Sequence, residues 1–239
     1  MDPHNEDKSD VRNLLSEGRN AEEVYSLMRG KGWYSTSPGP QDEDVNNLFS
    51  NIANLLWDEE ARIRGRASQV LCWTAAVYPQ SWSNVEERVA TRLLEMLSDS
   101  DPQVRSDVAL AIVNAPSEKV NGVPNPEKQL IEKAIPLLIS LLKDENNQVE
   151  IDAGWSLGNR VVDWILRNRE DHKLVLDIQR RLARHREAAN REHVASYWVW
   201  NARTFPEAAA KARPLLLQLA GDADYTVRDL AEKALSYLK

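Results

Sequence analysis

The sequence is short of several things, and each shortage narrows what the protein can be. It has one cysteine, Cys72, in 239 residues, so no internal disulfide can form. That suits a reducing compartment, and a cytoplasmic protein is expected. No apolar run approaches the roughly 20 residues a membrane-spanning helix needs. The opening residues, Met1-Asp2-Pro3-His4-Asn5-Glu6-Asp7, are acidic and polar where a secretory leader is basic and then apolar. Basic charge is in deficit, with 30 Lys and Arg against 37 Asp and Glu and a net charge of −7. Nucleic acid usually meets a basic face, so it is disfavoured as the general partner. The chain also lacks a glycine-rich phosphate loop and any His/Cys spacing typical of a metal site. His172, His185 and His193 are scattered. No catalytic residue, metal or cofactor is expected, and the chain reads as a non-enzyme.

What is present is apolar surface of a particular kind. There are eight Trp but only two Phe, in a chain that is 42% apolar and 28% charged. That composition folds. Large aromatics are costly to expose without reason, so each Trp is either core or contact surface.

One pattern recurs five times. An apolar helix end leads to an Asp or its substitute, then an Arg or its substitute six positions later, then small and apolar residues at helical spacing. The Asp positions are Asp58, Asp99, Asp144, His185 and Asp222, at intervals of 41, 45, 41 and 37. The Arg positions are Arg64, Arg105, Glu150, Arg191 and Arg228. Small residues follow at Ala67, Ala109, Ala153, Ala195 and Ala231. Pro136 and Pro214 both precede the Asp position by eight residues, inside the first helix of a pair. Asp101-Pro102 reads as a helix cap followed by a first-turn proline. Nothing alternates long enough to argue for a sheet.

Helix pairs repeating every 40–47 residues mark HEAT-like arrays, and residues 42–239 closely resemble HEAT units. The resemblance implies an all-α, right-handed α-solenoid of about five helix pairs with an atypical N-terminal helical cap. The units are expected over 41–79, 83–115, 127–168, 170–204 and 206–239. It also implies an Asp/Arg ladder between neighbouring units, carried by Asp58, Asp99, Asp222, Arg64, Arg105 and Arg228. Glu150 and His185 break that ladder, so the third and fourth units are expected to stack with altered geometry. Residues 1–10 are expected to be disordered. Residues 11–40 read as a cap of one or two short helices split near Gly18, with a loop from Gly30 to Pro40; a docking arm that folds on a partner is the alternative.

In such a solenoid the second helices line the concave side. Their exposed stripe, by the 3.6-residue period, runs Arg66, Gln69, Trp73; Asp107, Leu110, Asn114; Asp152, Trp155, Asn159; His193, Ser196, Trp200; and Leu230, Lys233, Tyr237. Its last position holds only aromatic or amide residues, where a solvated face would hold Lys and Glu. Rings give contact area at low entropy cost, and amides bond a backbone. The Trp155-Ser156-Leu157-Gly158-Asn159 stretch resembles the armadillo repeats of importin-type proteins, in which the Asn bonds an extended peptide and the Trp packs on an aliphatic stem. Asp152 and Asp163 share that face and would favour a cationic side chain. The bland alternative is that Trp155 packs on a neighbouring helix and Asn159 caps something local.

Trp198 falls on the core stripe, and packing is the default for Trp33, Trp57 and Trp82. Arg180, Arg181, Arg184, Arg186 and Arg191, interleaved with acids, read as a solvated helix face or as a patch for phosphates or an acidic protein. The expected function is a monomeric, non-catalytic scaffold or adaptor that holds another protein or peptide, an inhibitor or immunity-type protein being one form. The expected contacts are Trp73, Asn114, Asp152, Trp155, Asn159, Asp163, Trp200 and Tyr237. One enzymatic alternative is a HEAT-like DNA glycosylase, whose Trp/Trp/Asp cluster Trp155, Asp163 and Trp200 would imitate. Another is a bilin lyase-like repeat protein, for which no residue selects.

Overall fold

The architecture follows from a turn that occurs five times. In a computed structural model, which describes residues 11–17, 43–75, 79–113 and 127–238, each turn joins two helices. Helix α1 covers residues 11–17. The first pair is α2 (Glu43–Asn54, continued by a 3-10 turn at Leu55–Trp57) and α3 (Ala61–Ala75). Next come α4 (Pro79–Met96) with α5 (Pro102–Ile112), and α6 (Glu127–Leu141) with α7 (Asn147–Trp155). Helix α7 runs through a π-helical turn, Ser156–Val161, into α8 (Val162–Asn168). The last pairs are α9 (His172–Leu182) with α10 (Ala188–Asn201), and α11 (Pro206–Leu219) with α12 (Tyr225–Ser236). No strand occurs among the described residues. The chain divides into two compact units, Met1–Leu137 and Leu138–Lys239, the division falling inside α6. The expectations for residues 1–10, the Gly30–Pro40 loop, Asn114 and Trp33 lie outside the described residues, as does the Trp82 side chain.

Chemistry at the Asp position shapes each turn. Oδ1 of Asp58, Asp99, Asp144 and Asp222 accepts the backbone N–H two residues on, at 2.9–3.0 Å. This is the side-chain mimic of a backbone turn that favours Asp and Asn in such places. His185 reproduces it with a ring nitrogen. Its Nδ1 accepts the Glu187 N–H at 3.1 Å, and its Nε2 lies 2.9 Å from the Leu142 carbonyl. Those contacts place the proton on Nε2, which donates to Leu142. Asp101, Asn146 and Asp224 then cap α5, α7 and α12 by accepting first-turn N–H groups, as the Asp101-Pro102 pair implies.

The core is the stripe that the spacing marks. In the first unit Phe49, Ile52, Ile63, Val70, Val104, Val108 and Ile112 are fully buried. In the second, Leu138, Val149, Leu157, Val194, Trp198, Leu216 and Val227 are. Each such side chain contributes about 1.5–3 kcal/mol of transfer free energy. The small residues Ala67, Ala109, Ala153, Ala195 and Ala231 are all buried, as close helix packing requires. Pro136 and Pro214 lie within α6 and α11.

Ion pairs tie neighbouring turns together. Arg64 donates Nε and Nη2 to the two Asp99 carboxylate oxygens at 3.1 and 2.9 Å, and its Nη1 to the Asp58 and Glu59 carbonyls. In the second unit Arg191 does the same, with Asp222 at 2.7 and 2.9 Å and the carbonyls of His185 and Arg186. A further rung precedes these. Arg12 on α1 donates to both Asp58 oxygens at 2.7 and 3.0 Å and also to Glu60. Helix α1 therefore occupies the place of a preceding second helix, and Val11-Arg12 repeats the Val-Arg signature of Val104-Arg105 and Val227-Arg228. The Asp58 and Asp222 carboxyls are held below the usual range chiefly by their arginine hydrogen bonds. At Asp99 burial pushes upward, and Arg64 and the Asp101 N–H together outweigh it.

The irregular rung keeps a pair and inverts it. Glu150 is buried, and its Oε2 accepts Arg186 Nε at 3.1 Å and Nη2 at 2.7 Å. The acid now comes from the second helix and the base from the following turn. Asn190 supports this arrangement by donating to the Glu150 carbonyl at 3.1 Å.

Candidate functional site

The stripe of the first unit is largely spent on internal bonds. Arg66 donates to the Leu15 and Ser16 carbonyls at 2.6 and 3.3 Å, satisfying the C-terminal end of α1. Gln69 Nε2 donates to Asp107 Oδ1 at 2.8 Å, and Gln103 Nε2 bonds the same oxygen at 2.9 Å. Asp107 fits there because Gly65 faces it, and a Cβ at that glycine would fall on its carboxylate. Trp73, one turn beyond Gln69, stays 44% exposed.

The second unit carries the denser part. The π turn directly follows Trp155, and widening the helix there brings residues five apart over one another. Arg160 lies over the Trp155 ring at 5.9 Å in consequence. Trp155 and Asn159 are half-buried. Asn159 Nδ2 donates to the Trp155 carbonyl at 3.1 Å, so this amide does bond locally. Asp152 accepts Gln148 Nε2 at 3.0 Å. Asp163 accepts Arg167 Nε at 2.7 Å and the Tyr197 hydroxyl at 3.4 Å. Burial, with Asp163 beside it, pushes the Tyr197 hydroxyl above its ordinary range.

Close approach of α7 and α10 organises this region. A Cβ at Gly154 would meet the Asn190 amide, and one at Gly158 would lie 3.0 Å from His193 Cβ and 3.1 Å from Leu182 Cδ1. His193 is half-buried, its Nε2 has no hydrogen-bond partner among the described residues, and burial pulls its pKa down to about 4. It stands neutral on the stripe. Trp200, seven residues on, is 78% exposed, while Trp198 beside it is fully buried and donates Nε1 to Gln179 Oε1 at 3.0 Å. Tyr237 is 37% exposed with Arg203 over its ring at 5.2 Å.

Of the expected contacts, Asp152, Trp155, Asn159, Asp163, Trp200 and Tyr237 thus lie in the second unit and Trp73 in the first. Sequence reasoning placed His193 on the stripe but did not reach Arg160, nor the position of Arg203 over the Tyr237 ring; the i, i+5 spacing of Trp155 and Arg160 signals a contact only once the π turn is known. Trp57, for which packing is the default, is 46% exposed with Arg88 and Arg92 over its ring at 5.3 and 5.6 Å. Among the described residues no group of three His, Cys, Asp or Glu side chains is placed to hold a metal, and no helix is long and apolar enough to cross a membrane.

No family model and no curated protein matches the chain. Solved structures do. A designed armadillo repeat protein is 19% identical, with 97% of this chain and 93% of that one covered and a TM-score of 0.57. An engineered protein is 16% identical over 96% of both chains, with a TM-score of 0.55. A designed armadillo repeat protein in complex with peptide (KR)4 is 18% identical, with 96% and 98% covered and a TM-score of 0.53. The fold is a helical-repeat solenoid of the armadillo/HEAT type. At these identities the likeness extends to the fold alone.

Proposed function

We propose that this solenoid is a non-catalytic, monomeric, cytoplasmic scaffold that holds an extended segment of a partner protein on its second-helix stripe. The observation that carries the reading is Trp200. It is a Trp at 78% exposure beside a fully buried Trp198, at a stripe position where Trp73 and Tyr237 are also exposed. Exposed aromatics of this kind are enriched where proteins bind one another. That a designed armadillo protein of this fold is solved with a peptide supports the mode. Asp152 offers a carboxylate to a cationic side chain, while Arg160 and Arg203 add positive charge, so the stripe suits a segment of mixed charge.

The DNA glycosylase alternative is weaker because Asp163 is already engaged by Arg167 and Tyr197. The test is selection of displayed random peptides against the intact protein, repeated with Trp155→Ala/Trp200→Ala. Enriched peptides should fail to bind the double variant while its helicity and melting stay near those of the parent. Peptides that bind both forms equally well would overturn the stripe assignment. Base release from alkylated DNA would replace it with the enzymatic one.

A further inference from the structure

A second feature lies at the turns. A cavity of about 510 Å³ in the second unit is lined by the α6–α7 turn and by the end of α9 with the turn that follows it. Its polar walls are Lys143, Glu150, Arg181, Arg184, His185 and Arg186, and Asp144 also lines it. Ile139 and Leu142 give it an apolar side. Glu150 is answered by Arg186 at 2.7 Å, and Asp144 takes the Asn146 N–H. His185 is held by the Leu142 carbonyl at Nε2 and the Glu187 N–H at Nδ1. Lys143, Arg181 and Arg184 form no ion pair among the described residues, whereas Arg180, adjacent in sequence, pairs with Asp177 at 2.8 Å and does not line the cavity. A chain with seven excess negative charges thus lines one hollow with three cations that form no ion pair among the described residues.

We propose that this cavity binds a small, multiply charged anion of the organic phosphate class, independently of the protein-binding stripe. Guanidinium groups match phosphate oxygens in pairs, and these three cations exceed what one carboxylate neutralises. The volume falls in the range of small-ligand sites, roughly 300–1,000 Å³. Ile139 and Leu142 provide a place for a ring or carbon body. The Arg186–Glu150 and His185–Leu142 bonds fix part of the wall before a ligand arrives, which lowers the ordering cost of binding.

The experiment is titration calorimetry on the intact protein at about 0.15 M salt, where exposed, distant charges are largely screened. The probes are tripolyphosphate, magnesium-free adenosine triphosphate and citrate. Saturable one-to-one binding of both phosphates, tighter than citrate, is expected. Arg184→Ala should weaken tripolyphosphate by roughly tenfold, the scale of one lost charge-assisted contact. Arg180→Ala removes the same charge outside the cavity and should leave affinity within about twofold. Absence of saturable binding at millimolar probe overturns the site. So does an Arg180→Ala loss equal to that of Arg184→Ala, which would be a general charge effect. Citrate binding as tightly as tripolyphosphate overturns the phosphate assignment.

Discussion

Arg186→Ala is the sharpest test of the inverted rung. Glu150 is only 4% exposed, and both bonds from Arg186 reach the same carboxylate oxygen. Removing one partner of a buried pair costs about 3–5 kcal/mol, because the other charge is left unanswered. Two features lower that figure here. The Arg186 side chain is 60% exposed, so water can approach Glu150 once it is gone, and His185 Nε2 remains 4.0 Å from the carboxylate. The expected loss is about 2 kcal/mol. With a urea m-value of about 2 kcal/mol/M, the unfolding midpoint should fall by about 1 M. Glu150→Gln in the Arg186→Ala background removes the stranded charge and should return about half of the loss. Circular dichroism in a urea series at pH 7, with all four members of the cycle, measures this. A cost below about 0.5 kcal/mol, or no recovery with Glu150→Gln, would mean the pair behaves like an ordinary surface bridge and the rung is not a structural tie.

Three further outcomes are expected. Gly154→Ala places a methyl against the buried Asn190 amide and should destabilise by about 1–3 kcal/mol in denaturant unfolding; an unchanged midpoint would mean that α7 and α10 separate at no cost. His193 is neutral in both states above its ordinary pKa near 6.5. Between there and about 4 the unfolded chain takes up a proton that the folded one refuses, so stability should fall with pH, by about 1.4 kcal/mol per unit at most. His193→Gln should flatten that slope, and parallel profiles would refute the assignment. Arg12→Ala should speed amide exchange across residues 11–17 with little effect on 188–201, whereas unchanged exchange would show that the α1 rung is idle.

The fold was legible because it repeats. An Asp that closes a turn, an Arg that bonds both its own turn and the next Asp, and an Ala where helices meet recur in a fixed order at nearly constant spacing, and each has one physical reason. The rung from Arg12 was also written in the sequence, as the Val-Arg signature of α1, but the 46 residues between Arg12 and Asp58 exceed the 35 between Arg64 and Asp99 and hid it. The Glu150–Arg186 exchange was less accessible. Glu150 marks a missing base, but its replacement sits next to the irregular His185 rather than at the repeat position. The stripe was legible as a row and not as chemistry. Gln69 and Asp107 both look free on a helical wheel, yet they bond each other across α3 and α5. Which side chains pair depends on the offset between packed helices, and no single-helix period encodes that. The π turn left even less trace, since its only hint is Gly154 and Gly158 four apart.

On the proposed function, exposed aromatics on the second helices grip a partner. The direct measurement is the equilibrium affinity of a selected peptide for the parent and for Trp200→Ala. Trp200 is too exposed for its loss to unsettle the core, so unfolding free energy should change by less than about 0.5 kcal/mol. Affinity should fall by roughly 30-fold, the scale of a binding hot spot of about 2 kcal/mol. Affinity held within about twofold, at unchanged stability, would contradict the account.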